Sequence, residues 1–443
     1  MANAIISLFP AALRCRIEQT CNSAGFNNTL WLTADRLLRM GVGLVVGVWV
    51  ARYLGPAGYG LLSFAGSYVM LFSAIALCGL ESLVVRELVS YPEQRPQIMG
   101  TTALIRAAAG LFALAGSLLI LPLVSPAEPV ILLLVAVLGS SLLFQALEVI
   151  DLWFQHRVAS RYTVIARSSA FLLSSGAKVA VVMTGGGLVA IAVATALEGL
   201  LTAVALIWAY RISGERISGW CWDQGWGRRL LRDALPMVLS GVVLMVYLRI
   251  DQVMLGMLAG QSEVGYYAAA VRIAEVWYFV PTVIVSSVFP RLVALRSSDQ
   301  LQFRQAMQKL YSLLAFLGYA VALPVTFLGP WLVQLLFGAD YHPAGPLLAV
   351  LIWAGLFANL SVARNSYLIV INSPQALFWF SLAGALVNVV LNLMLIPVAG
   401  AMGAALATLV SYWFAAHGVC YLAPSFRPVA ADITRSLIWP RFW

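Results

Sequence analysis

The chain has few charged residues, few histidines and few cysteines, and each shortage excludes a class of protein. Only 10% of the 443 residues are charged whereas 62% are hydrophobic, a ratio that excludes an ordinary soluble domain. The three histidines, His156, His342 and His417, lie far apart and form no HExxH zinc motif. The five cysteines show no CxxC spacing. We therefore predict no disulfide framework, no metal site and no cofactor.

Motifs for catalysis and nucleotide binding are also missing. There is no GxSxG nucleophile turn and no GxxxxGKS/T phosphate loop. Gly41, Gly43 and Gly47 resemble a nucleotide fingerprint, but they lie in an apolar run with no strand before it, which favours close helix packing. We predict no catalytic residue and no enzyme activity. The formal charge of +9 fits membrane topology better than nucleic-acid binding.

Long apolar runs are what the sequence has in abundance. A bilayer core about 30 Å thick takes roughly 20 apolar residues per helix. Backbone groups in lipid must bond internally, so we predict an all-α integral membrane protein with about twelve transmembrane helices. The predicted spans are 31–50, 60–80, 101–122, 130–150, 162–184, 187–210, 233–256, 265–290, 308–329, 346–371, 375–396 and 399–421.

Basic residues mark one side of this predicted membrane. Of the 27 basic residues, 23 lie in the two tails, in alternate loops or at the helix ends beside those loops, among them Arg364 at the tenth loop. The positive-inside rule then places both termini and the even-numbered loops in the cytoplasm. An even number of helices requires the same arrangement of the termini.

Parts of the first half of the chain recur in the second half. The stretch "LGPAGYGLLSFA" (54–65) resembles "LAGQSEVGYYAAA" (258–270), with Gly60 opposite Gly265, and "TGGGLVAIAVATAL" (184–197) resembles "VAGAMGAALATLV" (398–410). The offset spans six predicted helices, so the halves are parallel repeats, an architecture typical of transporters. We predict a cytoplasmic amino-terminal arm (1–30), an N-lobe (31–210), a cytoplasmic linker (211–232), a C-lobe (233–421) and a cytoplasmic tail (422–443).

Two arginines inside the apolar spans are the strongest candidates for substrate contact. Charges within spans are costly and usually face the protein interior or a water-filled cavity. Arg249 and Arg272 each lie about a dozen residues from Gly260, so we expect them at similar depth. Glu275 at i+3 offers a local partner to Arg272, whereas Asp251 at i+2 lies on another face than Arg249. Because arginine suits phosphate oxygens, this pattern favours an anionic head group.

The first span carries a second group of charges. Asp35 and Arg39 form an i, i+4 pair on one helix face. This pairing leaves Arg36 near the predicted cytoplasmic mouth, where it is either a substrate contact or a side chain that reaches toward the interface.

The remaining intramembrane charges allow two interpretations each. Lys178 and Glu198 lie in neighbouring spans and either pair with each other or serve the substrate pathway. Arg86 and Arg291 occupy equivalent repeat positions at inner helix ends and fit a topology or gating role. Our substrate-binding candidates are Arg249, Arg272, Arg36 and Lys178, and our ion-coupling or gating candidates are Asp35, Arg39, Asp251, Glu275, Glu198, Arg86 and Arg291.

Several stretches resemble one known family. Residues 27–88, above all "ARYLGPAGYG" and "GLESLVVREL", are similar to the amino-terminal signature of the bacterial polysaccharide transporter family, the Wzx-type O-antigen and exopolysaccharide flippases. The stretches "LRIDQVMLGMLAGQSEVGYYAAAVRI" (248–273) and "LIPVAGAMGAALATLVSY" (395–412) resemble the same family. The resemblance implies the fold of the multidrug/oligosaccharidyl-lipid/polysaccharide (MOP) superfamily, with two six-helix bundles in a V around a cavity that opens to alternate sides.

The resemblance also implies a substrate, partners and an energy source. The substrate would be an undecaprenyl-pyrophosphate-linked oligosaccharide moved to the periplasmic leaflet of the inner membrane, with its pyrophosphate on the basic residues. Membrane lipids, a glycan polymerase and a chain-length regulator would be partners, and a proton or sodium gradient would drive transport. The alternatives are a lipid II flippase, which typically has two further helices, and a multidrug cation antiporter, which needs exposed acids. From another class, a membrane glycan polymerase or ligase needs a long external loop.

Overall fold

The computed structural model describes residues 24–125 and 129–439, and every regular element in these ranges is helical. Most of the predicted arm (1–30), Cys15, Cys21 and the last four residues lie outside them. The α-helices are α1 (Ala24–Leu77), α2 (Glu81–Ser90), α3 (Arg95–Val124), α4 (Pro129–Gly139), α5 (Ser141–Phe144), α6 (Val149–His156), α7 (Ser160–Met183), α8 (Leu188–Ile212), α9 (Gln224–Leu258), α10 (Gln261–Val276), α11 (Phe279–Ser298), α12 (Gln300–Phe337), α13 (Ala344–Val370), α14 (Pro374–Trp413), α15 (Val419–Leu422) and α16 (Arg427–Ile438).

Ten helical stretches of the described chain are long and apolar enough to cross a membrane, and all twelve predicted spans fall in them to within one residue at each end. The stretch Trp31–Ser90 has 60 residues, which makes about 90 Å of helix against a bilayer core of about 30 Å. It holds two spans because the chain is non-helical at Gly55, where φ is 67°. Pro374–Leu422 is broken in the same way at Gly400, where φ is 54°. The prediction of an all-α protein with many spans is confirmed. At two of the predicted turns, a single glycine is the only residue that leaves helical geometry.

The chain forms two compact units. Unit 1 comprises the described parts of Met1–Val46, Ile75–Gly116 and Ala136–Val238. Unit 2 comprises the described parts of Gly47–Ala74, Ser117–Val135 and Leu239–Trp443. The lobes predicted at 31–210 and 233–421 remain a prediction.

Aromatic side chains form the core of unit 1. Trp153 and Tyr210 are at most 1% exposed, and their rings meet edge to face with centroids 5.1 Å apart. The segment that follows α8 joins this core, because the buried indole of Trp226 donates a hydrogen bond to Gln94 Oε1 at 2.8 Å. The amide of Cys221 also bonds to the carbonyl of Pro96. The segment predicted as an inter-lobe linker is therefore packed onto unit 1.

Two helices from equivalent repeat positions touch within unit 2. A Cβ atom on Gly60 would overlap the carbonyl oxygen of Gln261, and one on Gly265 would overlap the carbonyl oxygen of Pro56. Residues 56 and 261 are related by the same sequence offset as residues 60 and 265. Such reciprocal contacts are the signature of a two-fold relation, and glycine permits them because the backbones can then approach closely. The duplication predicted from sequence has a structural counterpart at this crossing.

Candidate functional site

In unit 1, one arginine joins two carboxylates from different helices. Arg39 Nε lies 3.1 Å from Asp35 Oδ1, and Arg39 Nη1 lies 3.0 Å from Glu198 Oε1. The first contact is the predicted i, i+4 pair, and the second ties α1 to α8. The guanidinium also lies 5.0 Å from the ring centroid of Phe171, a cation–π contact. Sequence proximity had favoured Lys178 as the partner of Glu198, so the contact with Arg39 is new.

A second network in unit 1 escaped sequence analysis. Arg167 Nη2 lies 2.8 Å from Glu148 Oε2 and 3.2 Å from Asp151 Oδ2. The side-chain amide of Gln155 donates a further bond to Asp151 at 3.0 Å. Glu148 and Asp151 are three residues apart in one apolar stretch, so they lie on the same helix face. Two acids at that spacing inside a span indicate a basic partner, and this pattern could have predicted the network.

Both networks border one cavity of about 510 Å³. Four of its charged side chains, Arg39, Glu198, Arg167 and Glu148, are 27% to 34% exposed, so they face open space rather than protein interior. A charged lining of this kind indicates water rather than lipid. The cavity is lined by Asp35, Arg39, Ser141, Phe144, Gln145, Glu148, Arg167, Thr195, Glu198, Gly199 and Thr202.

In unit 2, the predicted arginines lie on two neighbouring helices. Arg249 Nη1 of α9 lies 3.3 Å from Glu275 Oε1 of α10, a contact between helices that spacing alone could not give. The guanidinium of Arg272 lies against α1 at Gly47, where an added Cβ atom would be 2.7 Å from Arg272 Nη2. The absence of a side chain at Gly47 thus makes room for Arg272.

A buried carboxylate lies two residues further along α9. Asp251 is 7% exposed and accepts hydrogen bonds from the hydroxyl of Tyr267, from the backbone N–H of Gln252 at 2.8 Å and from the hydroxyl of Thr408 at 3.5 Å. Asp251 was a predicted candidate, whereas Tyr267 and Thr408 were not, because their hydroxyls carry no charge and a threonine hydroxyl in an apolar span usually bonds to its own helix.

A polar chain continues from Thr408 through the two halves of α14. The Ser411 hydroxyl donates to the Thr408 carbonyl at 3.0 Å, and Asn388 donates to Ser411 at 3.1 Å. Asn392 donates to Asn388 at 2.9 Å, while its own Oδ1 is buried without a partner among the residues that the structure describes. These bonds join the helix before Gly400 to the helix after it.

The other predicted residues do not line the cavity of unit 1. Arg36 and Arg291 are exposed, and Lys178 is partly buried but does not line the cavity. The side chain of Arg86 is 58% exposed and lies 2.7 Å from Glu87. The structure therefore brings together Asp35, Arg39 and Glu198 in one cluster and Arg249 and Glu275 in another.

Arg364 requires a correction. We expected it to mark the cytoplasmic side at the helix end beside the tenth loop, but it is 2% exposed inside α13. It donates to the carbonyl of Ala415 and, at 2.6 Å, to Asn365 Oδ1, and it lies over the ring of Phe380. Ala415 belongs to a π-helical turn, Phe414–Gly418. Such turns disturb the regular backbone pairing, so Arg364 supplies a donor to a carbonyl inside unit 2.

The ten membrane-length stretches in the described ranges, with charged clusters inside them, define a multi-pass membrane protein. The family model described as "Polysaccharide biosynthesis protein" matches residues 26–296, more than half of the chain. The chain belongs to this family.

Similar proteins agree with that assignment. The "Probable flippase AglR" of Haloferax volcanii is 24% identical over 400 residues, which cover 84% of this chain and 77% of that protein. The "Probable low-salt glycan biosynthesis flippase Agl15" of the same organism is 23% identical over 42% of this chain and 39% of its own length.

Solved structures show the same fold. The lipid II flippase MurJ in an inward closed conformation gives a TM-score of 0.74 at 15% identity, over 93% of this chain and 90% of that one. An inward-facing multidrug resistance MATE family transporter of the MOP superfamily gives 0.70 at 15% identity, over 92% and 99%. The predicted MOP superfamily fold is confirmed. The chain therefore combines this family with a fold that solved transporters of the superfamily share.

Proposed function

We propose that the protein is a flippase that moves undecaprenyl-pyrophosphate-linked oligosaccharides across a bacterial inner membrane, from the cytoplasmic to the periplasmic leaflet, by alternating access. The polysaccharide biosynthesis family and the flippase relatives AglR and Agl15 support the movement of a glycan lipid. The undecaprenyl carrier and the partnership with a polymerase and a chain-length regulator follow from the sequence resemblance. The cytoplasmic termini follow from the positive-inside rule, and the two lobes follow from the internal repeat.

The observation that carries this proposal is the hydrogen-bonding capacity left on Arg249. Its contact with Glu275 is 3.3 Å long, beyond the roughly 2.7–2.9 Å of a charge-assisted hydrogen bond. Its Nε is buried and has no partner within the described ranges, while 22% of the side chain remains exposed. A pyrophosphate would bind the exposed part of this guanidinium.

Asp251 is the residue that we assign to coupling with a proton or sodium gradient. Every hydrogen bond given above for its carboxylate comes from a neutral group, and no ion pair to it is present within 24–125 and 129–439. A buried carboxylate in a membrane interior is stabilised when it binds a proton or a cation. Binding and release of that ion would change the bonds between α9, α10 and the second half of α14.

The proposal is tested by reconstituting the full chain in liposomes with lipid-linked oligosaccharide extracted from the source cells. We expect the wild-type protein to move this lipid between leaflets and the Arg249→Ala variant to lose at least about 90% of the rate, because charge-assisted bonds contribute about 1.5–3 kcal/mol each. The matched control is Arg435→Ala, which removes an arginine of unit 2 whose side chain is 76% exposed.

The same liposomes separate the alternatives. Lipid II and a cationic dye are offered in place of the oligosaccharide lipid, each with and without a proton or sodium gradient. Movement of lipid II alone would establish a lipid II flippase, and movement of the dye alone would establish a cation antiporter. Either result, or an Arg249→Ala variant as active as Arg435→Ala, would refute the proposal.

A further inference from the structure

The charged cavity of unit 1 has no role in holding a pyrophosphate, and its chemistry fits another part of the substrate. We propose that this cavity binds the sugar portion of the lipid-linked oligosaccharide, as a glycan subsite separate from the phosphate contact at Arg249. The inference rests on the proposed function, because it concerns the head group of the same substrate.

The charge balance of the cavity argues against a phosphate. Three acids and two arginines line it, and both arginines are already committed to carboxylates. Arg39 binds Asp35 and Glu198. Arg167 binds Glu148 and also Asp151, which does not line the cavity. An entering phosphate would meet a net negative lining and would have to displace a carboxylate, whereas a neutral ligand meets no such repulsion.

The hydrogen-bonding groups of the cavity are mostly acceptors. Gln145 lines the cavity, and its buried Oε1 accepts no hydrogen bond in the described part of the chain, so a rotation of the side chain would present this acceptor to a ligand. The hydroxyls of Ser141 and Thr195 donate to the backbone carbonyls of Leu138 and Ile191 at 2.7 and 2.8 Å, so their oxygen atoms remain free to accept. Sugar hydroxyls are donors in large number, and they complement a wall of carboxylate, amide and hydroxyl oxygens.

The ion pairs make this wall rigid. Each carboxylate is held by a guanidinium that is itself bound from two sides, which fixes the acceptors before a ligand arrives and lowers the entropic cost of binding. Phe144 lines the same cavity and offers an apolar face to the C–H groups of a sugar ring. A few placed polar groups beside an aromatic surface are the usual composition of a small-molecule site.

The size of the cavity distinguishes a sugar from a coupling ion. Its volume of about 510 Å³ lies within the range of roughly 300–1,000 Å³ that is typical of small-molecule sites. A cation stripped of water is held by a tight shell of oxygens and requires no such space. The cavity therefore accommodates part of a glycan.

The test compares two probes in liposomes containing the full chain. One probe is undecaprenyl pyrophosphate with a single N-acetylglucosamine, and the other is the lipid-linked oligosaccharide extracted from the source cells. The variants are Gln145→Leu and Glu198→Gln. Gln145→Leu replaces an unsatisfied buried acceptor with an apolar group, a change that is close to neutral for folding. The control is Glu215→Gln, which alters an acid of unit 1 that pairs with Arg95 and does not line this cavity.

We expect the wild-type protein and Glu215→Gln to move both probes. Gln145→Leu and Glu198→Gln should move the oligosaccharide lipid about tenfold more slowly, while the single-sugar lipid moves at the wild-type rate. Equal slowing of both probes, or loss of gradient dependence with either probe, would overturn the glycan subsite in favour of an ion site or a structural role. Unchanged rates in both variants would overturn it as well. If the wild-type protein moved neither probe, the proposed function itself would fail.

Discussion

The two charged clusters differ in how completely their arginines are neutralised. In unit 1, Arg39 and Arg167 each bind two carboxylates, with contacts between 2.8 and 3.2 Å. In unit 2, Arg249 binds only Glu275, at 3.3 Å, and its Nε has no partner in the ranges that the structure describes. The number of arginines in a membrane span therefore does not identify a phosphate site. Our proposal for the phosphate site rests instead on the hydrogen-bonding capacity that Arg249 retains.

The largest effect is expected from removing Arg249, the arginine that retains unused hydrogen-bonding capacity. Arg249→Ala should lower oligosaccharide-lipid transport by about a hundredfold, because two charge-assisted bonds to phosphate are worth about 3 kcal/mol or more. Initial rates in liposomes check this value. We expect the variant to remain folded, because 40% of the Glu275 side chain is exposed and water can solvate it once its partner is gone.

The partner of Arg249 provides the control for that result. Glu275→Gln breaks the same ion pair but keeps the arginine, so a substrate role predicts transport within about threefold of wild type. A purely structural ion pair predicts equal losses in Arg249→Ala and Glu275→Gln. Equal losses at equal protein levels would remove Arg249 from the substrate site.

The buried acid of unit 2 gives the second-largest expected effect. Asp251→Asn preserves the shape of the side chain and its contact with Tyr267 but removes the charge. We expect gradient-driven transport to fall about tenfold, while exchange of substrate without a gradient continues near the wild-type rate. Paired assays with and without a proton or sodium gradient measure both. Equal loss in the two assays would show that Asp251 serves packing and not coupling.

The fold was largely predictable from the sequence because a membrane constrains the chain so strongly. Apolar length alone located all twelve spans. The details at Gly55 and Gly400 were not predictable, because a turn of several residues and a single non-helical glycine have nearly the same composition. The environment of Arg364 was not predictable for a related reason. An arginine near a helix end fits the positive-inside rule equally well whether it faces water or a buried carbonyl.

The sites were predictable only where partners lie on one helix. The Asp35–Arg39 pair follows from a spacing of four residues. The contacts of Arg39 with Glu198 and of Arg249 with Glu275 join different helices, and their geometry depends on how those helices pack. Glu148, Asp151 and Arg167 were overlooked because they lie close to a predicted cytoplasmic boundary, where charges are common and carry little information.

In unit 1, removing an arginine should affect stability more than transport. Arg39→Met leaves Asp35 and Glu198 without their shared partner, and their side chains are only 16% and 29% exposed. Breaking a fully buried pair costs about 3–5 kcal/mol, so for this partly exposed pair we expect about 1–3 kcal/mol. Thermal unfolding in detergent measures the loss. The double variant Arg39→Met/Glu198→Gln should recover part of it, and no recovery would show that Arg39 acts mainly through its contact with Phe171.

The smallest effect is expected at Arg36, three residues before Arg39 on the same helix. Its side chain is exposed, and exposed charges are screened by salt and contribute about 0–1 kcal/mol. Arg36→Gln should therefore change the transport rate by less than about threefold at low salt, and the difference should vanish as salt rises. Rates at several salt concentrations check this dependence. A loss as large as that of Arg249→Ala, and insensitive to salt, would show that unit 1 also supplies a direct phosphate contact, and the division of head-group recognition between the two clusters would then be wrong.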